Sequence, residues 1–101
     1  MNGGHRYDFE WDAQKAKQNL RKHGVSFERA ATVFLDPNAP SIFDPEHSTG
    51  EDRWITLGMD RQGMMLVVSH TFREVEETTA SVRIISSRKA TRAERKQYEQ
   101  R

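Results

Sequence analysis

The sequence predicts an α+β fold: an antiparallel sheet of four to five strands, with two N-terminal helices on one face and a C-terminal helix. Three observations carry this expectation. Residues Arg6 to Trp11 alternate polar and aromatic side chains; two helical patterns follow before Asp36-Pro37; and three apolar segments lie between Arg53 and Ser86. The connections between those last segments are short, which makes them an antiparallel meander.

The first strand is expected to bury Tyr7, Phe9 and Trp11 on one face, while Met1 to His5 lacks periodicity and is expected to fray. Asp12 offers a carboxylate to cap a helix running to about Lys22, with Ala13, Ala16 and Leu20 inward and Gly24 as its left-handed stop. Ser26 caps a second helix whose buried stripe is Phe27, Ala30, Ala31, Phe34 and Leu35. A short edge strand is expected near Ser41-Ile42-Phe43, inside an acidic, proline-containing stretch. Strands then cover Arg53 to Met59, Met64 to Phe72 and Ala80 to Ser86, with turns at Asp60-Arg61-Gln62-Gly63 and at the acidic run Glu74 to Glu77. Thr91 and Glu94 form a capping box that starts a C-terminal helix with few apolar residues beyond Ala93 and Tyr98. Such a helix is weakly held and open to a partner.

At 101 residues the chain has room for one core, and 31% of it is charged. It contains no cysteine, which excludes disulfides and thiolate chemistry, and no apolar run approaches the ~20 residues that span a bilayer. With no secretory segment to be recognised, a cytoplasmic location without membrane attachment is expected. The formal net charge of +1 conceals a strong polarity. Residues 1–35 carry six Lys/Arg against four Asp/Glu, residues 36–78 three against nine, and residues 79–101 seven against two. A short apolar strand that leads straight into a basic turn, with Arg88 and Lys89 at the strand end, and on into a basic helix is the footprint of phosphate binding; the plainer reading of such a run is a solvated helix face.

The titratable residues allow more than one reading. His23 ends the first helix, where the terminus favours a protonated imidazole; alone, it reads as a side chain that caps the last carbonyls. His70 shares its parity with Leu66 and Val68, the position of a core histidine as much as of a catalytic one. Arg53 is in phase with Ile55 and Leu57, whereas Arg83 interrupts Val82 and Ile84, so it needs a carboxylate partner or an open polar surface. Trp11 and Trp54 read as core or as base-stacking platforms. Asp44, Glu46 and His47 lack the spacing of a closed metal site, and no glycine-rich phosphate loop occurs.

Three stretches in order resemble the BrnT family of type II toxins. They are Phe9-Glu10-Trp11-Asp12 with Lys15, Asn19 and Lys22 to Glu28; Arg53 to Gly58; and Arg83 to Thr91 with Glu94, Arg95 and Tyr98. The resemblance implies a RelE-like ribonuclease fold over the whole chain and an endoribonuclease that cleaves RNA without metal or other cofactor, inhibiting translation and growth. It also implies a BrnA-like ribbon-helix-helix antitoxin as partner in a hetero-oligomer, with operator DNA bound only through that antitoxin. Carried onto this sequence, it makes His23, Arg53, His70, Arg83 and Arg88 the candidate catalytic residues. Lys22, Lys89, Arg92 and Arg95 become candidates for holding RNA or antitoxin. The competing reading is a non-catalytic module whose basic surface binds nucleic acid or an acidic antitoxin.

Overall fold

A computed structural model of the chain describes residues 6–100; the fraying expected for residues 1–5 lies outside them. The elements are β1 (Arg6–Glu10), α1 (Ala13–His23), α2 (Phe27–Thr32), β2 (Ser41–Phe43), β3 (Arg53–Met59), β4 (Met65–Thr71), β5 (Arg73–Glu76), β6 (Thr79–Lys89) and α3 (Arg92–Glu99). Short 3-10 turns occupy Val33–Leu35 and Pro45–His47. The sheet order is β1-β6-β4-β3-β2, with β5 also paired to β6. β1 runs parallel to β6, and the other pairings are antiparallel.

The α+β class agrees with the sequence, but the sheet has six strands where four to five were expected. The extra one is the acidic run expected to be a turn. Arg73–Glu76 continues past β4 and pairs with β6, so the hairpin turn shrinks to Glu77 and Thr78. All four of its side chains are exposed, and a charged strand of this kind leaves no apolar alternation to read.

Asp12 caps α1, its Oδ1 accepting from the Lys15 N–H at 2.9 Å; Gly24, at φ +69°, closes the other end and donates to the Leu20 carbonyl. The inward face differs from the expected one. Ala13 and Leu20 are exposed, and Ala16, Asn19 and His23, at i, i+3 and i+7, are the covered residues. In the second helix the α winding ends at Thr32, and the next turn tightens to 3-10 geometry. Three residues per turn instead of 3.6 rotate Val33 into the core and Leu35 out, to 65% exposure.

The main core lies between these helices and one sheet face: Val25, Phe27, Ala30, Val33 and Phe34 against Leu66, Val68, Val82 and Ile84. The other face is covered in part. α3 crosses it over Leu57, Met65 and Val67, packing through Tyr98 and the preceding Ala90. The Tyr98 hydroxyl also donates to Asp36 at 2.7 Å, so α3 is anchored despite its thin apolar stripe. The half of that face around Arg53, Thr71, Ser81 and Arg83 lies beyond this cluster.

His70 belongs to the main core side, 1% exposed, with the Phe34 ring edge-on at 4.8 Å. Its Nδ1 lies 2.9 Å from the Thr71 carbonyl and therefore donates to it. The Nε2 then accepts from the Thr56 hydroxyl at 2.6 Å, and Thr56 in turn accepts from Ser41. Burial pushes the imidazole down to about 4 from its ordinary 6.5. The unfolded chain thus takes up this proton at higher pH than the folded one. Stability from His70 is complete above 6.5 and lost as the pH falls through about 4, a loss on the order of 3 kcal/mol. Urea denaturation at pH 7.5 and pH 4.5 should show a larger drop for the wild type than for His70→Gln.

Candidate active site

Along β6, Ala80, Val82 and Ile84 are buried toward the helices while Ser81 and Arg83 turn to the other face. Regular alternation would put Arg88, five positions later, on the opposite face from Arg83. It does not, because the ladder to β4 slips: Ser69 pairs with Ser86 but His70 pairs with Ile84, leaving Ile85 as an extra residue. This bulge reverses the parity of the strand. Ser87 is buried on the helix side, and Arg88, opposite Val67, returns to the face of Arg83. Arg53, opposite Thr71 on β3, belongs to the same face.

Beyond the bulge, β6 has lost its outer neighbour, since β1 pairs only as far as Glu10 with Arg83. The buried side chain of Asn19 takes that place. Its Nδ2 donates to the carbonyls of Ser87 (2.8 Å) and Val25 (3.0 Å), and its Oδ1 accepts from the Ser87 N–H at 3.0 Å. One amide thereby fixes α1, the entry to α2 and the strand just before Arg88.

Over Arg83 lies a cleft of about 380 Å³. Arg73 and Arg83 give it two cations; Glu10, Glu51 and Asp52 three carboxylates; Thr71 and Ser81 hydroxyls; and Phe72 an apolar wall. Arg83 pairs with Glu51 and donates its backbone N–H to the Thr71 hydroxyl at 3.2 Å. Arg53, across β4 from Arg83 and not among the residues that line the cleft, has its Nε enclosed, with no hydrogen-bond partner among the described residues. The cleft therefore holds what displacement at phosphorus needs: fixed positive charge and proton acceptors.

The remaining candidates are elsewhere. Arg88 is clamped by Glu94, Nη1 and Nη2 donating to Oε1 and Oε2 at 2.8 and 2.9 Å. Lys22, Lys89, Arg92 and Arg95 are exposed, and His23 is half-buried. Arg88 is roughly 15 Å along β6 from Arg83 at strand spacing. His70, on the helix side, does not line the cleft, and neither does any other histidine among the described residues. The sequence reading left Glu10, Glu51, Asp52 and Arg73 without a role. Glu10 meets Arg83 only through the parallel pairing of β1, which periodicity does not reveal. The acidic residues read as ordinary loop charge. His47 pairs with Asp44 at 2.8 Å, and among the described residues no group of three or more His, Asp or Glu is placed to hold a metal ion.

Residues 11–94, which include the cleft residues Glu51 to Arg83, match the family of the ribonuclease toxin BrnT of type II toxin-antitoxin systems. The chain belongs to this family. Its fold is similar to the 1.1 Å crystal structure of the Brucella abortus ribonuclease toxin BrnT, at 26% identity and a TM-score of 0.53, over 83% of this chain and 96% of that one. Comparison with curated proteins gives no match. BrnT membership brings with it an antitoxin partner. The matched span closes on Glu94, the residue that holds Arg88 and caps α3.

The Arg88 guanidinium, hydrogen-bonded to it, holds the Glu94 carboxyl down at about 2. A depressed carboxylate stabilises the folded chain above its ordinary 4.5, and the contribution is lost as pH falls toward about 2. Glu94→Gln should lower the melting temperature at pH 6, and the gap between variant and wild type should close by pH 2. Circular dichroism melts across that range measure both.

Proposed function

We propose that this protein is the RNA-cleaving toxin of a type II pair, an endoribonuclease acting without metal on the uncovered half of the sheet. The observation that carries this is the cleft over Arg83, on the face where the bulge in β6 also brings Arg88 and where Arg53 lies. RNA cleavage by internal attack needs cations for the charge developing on phosphorus and acid-base groups for the 2′- and 5′-oxygens. Arg83 fills the first role, with Arg53 on the same face across β4, and the exposed Lys22, Lys89, Arg92 and Arg95 extend the path for the strand. Arg88 reaches RNA only by leaving Glu94. His23, half-buried at the end of α1, stands beside the exposed Lys22, and His70 holds the core. The scaffold in this reading is RelE-like, the protein works in the cytoplasm, and cleavage stops translation and growth.

The antitoxin in this reading is a BrnA-like ribbon-helix-helix protein that covers the basic rim and joins the toxin in a hetero-oligomer. Operator DNA is reached only through it. A second reading, a binding module without catalysis, is favoured by the pairing of Arg83 and Arg88 with carboxylates of their own chain.

Labelled RNA incubated with purified protein and a chelator, with and without ribosomes, separates the two readings. Arg83→Ala should lower the cleavage rate on the order of 10²–10³-fold while leaving the melting temperature nearly unchanged, because the Glu51 pair is exposed. Loss of folding with full specific activity in the soluble remainder would make Arg83 a structural residue. For the rim, the Arg92→Glu, Arg95→Glu double variant should bind antitoxin more weakly by calorimetry with little change in stability. The wild-type affinity itself should fall as salt rises.

A further inference from the structure

Resting on the RNA-cleavage reading, we propose that Glu51 is the general base of the cleft. Its carboxylate takes the proton of the RNA 2′-hydroxyl while Arg83 passes from Glu51 to the scissile phosphate.

Three carboxylates line the cleft, and Glu51 is the one that touches the Arg83 guanidinium. A phosphate competes for the same N–H donors, so an RNA that takes Arg83 necessarily arrives beside the Glu51 carboxylate. The pair is suited to exchange: both side chains are about two-fifths exposed, and ion pairs in that setting are weak. Glu51 also has freedom that Glu10 lacks. Glu10 is fixed in β1, in register with Arg83, whereas Glu51 follows Gly50, at φ +87°, in the loop before β3. That loop is tied to the sheet by the Arg53 N–H, which donates to the Ser48 hydroxyl at 2.9 Å, so Glu51 is carried on a short tether and not on a free segment. Facing Glu51 are Glu10 from β1, Asp52 from its own loop, Arg73 from β5 and Arg83 from β6. The two arginines bring positive charge to a phosphate in the cleft, and Thr71 presents a hydroxyl to the same space.

The step balances without a co-reactant other than water. The 2′-O–H bond breaks, its proton goes to Glu51, and the freed electron pair forms the bond from the 2′-oxygen to phosphorus. The bond from phosphorus to the 5′-oxygen breaks, and that oxygen leaves with the pair and takes a proton from water. Glu51 returns its proton to the hydroxide so formed. The products are a 2′,3′-cyclic phosphate and a 5′-hydroxyl end.

The test is steady-state cleavage of a ribo-oligonucleotide by the full chain, with chelator present, from pH 4.5 to pH 9. In Glu51→Gln, kcat should fall about 10²–10⁴-fold. KM should be unchanged or lower, since Arg83 is released to phosphate, and the acid limb of the pH profile should vanish. Glu51→Asp should keep that limb at a reduced rate, a rescue that a merely structural role would not give. Equal kcat and an intact acid limb in a folded Glu51→Gln variant would overturn the assignment, as would loss of the limb in Glu10→Gln or Asp52→Asn instead. A wild type that cleaves no RNA, with or without ribosomes, would overturn the function itself; a wild type that cleaves RNA while Glu51→Gln cleaves it at the same rate would overturn this inference alone.

Discussion

The arrangement depends on one buried amide. Asn19 bonds both backbone groups of Ser87 where β1 has already ended, and it holds the Val25 carbonyl with the same nitrogen. Without it, a buried strand segment would carry an unpaired N–H and C=O, each costing about 1–3 kcal/mol. With it, β6 keeps a regular neighbour for one more residue, and the chain beyond is aimed across the sheet. Arg88 and α3 follow from that placement, and Glu94 then locks the two together.

The bulge at Ile85 acts in concert with this clamp. It permits β6 to send Ala80, Val82 and Ile84 into one core, return Ser87 to the same side, and still present Arg83 and Arg88 on the opposite face. The cleft beneath Arg83 is built from both signs of charge, which keeps two guanidinium groups together in the absence of an anion. Because the Arg83 pair is solvent-exposed, exchanging Glu51 for phosphate loses little, whereas the Arg88 pair is bidentate and less open. Two arginines on one face of one strand therefore differ: Arg88 braces the C-terminal helix, and Arg83 is the one that the proposed function sets against substrate.

Where a local rule determined the structure, the sequence was legible. The caps at Asp12, Ser26 and Thr91, the glycine stop at Gly24, and the strands containing Trp54 and Val68 all lie where the residue pattern puts them. Leu35 and Leu20 were misplaced because their burial depends on how the helices wind and rotate against the sheet, and helical periodicity alone does not fix that. The strand at Arg73–Glu76 was missed because every side chain on it is exposed and most are charged. Arg83 and Arg53 were legible as charges on an apolar strand, but the carboxylates around Arg83 come from distant segments: Glu10 by parallel pairing and Glu51 by loop closure. Neither leaves a pattern along the chain. The resemblance supplied the family, and the register supplied the cleft.

The central claim is that RNA meets this molecule at the cleft over Arg83. The most direct measurement is a chemical-shift titration of the isotope-labelled protein with a short RNA whose 2′-hydroxyls are methylated, so that it binds and is not cleaved. The account predicts the largest changes at Thr71, Ser81 and Arg83, with smaller ones along the exposed rim. Changes confined to the end of α1 and to α3, at Lys22, Arg92 and Arg95, with the cleft silent at saturation, would contradict it.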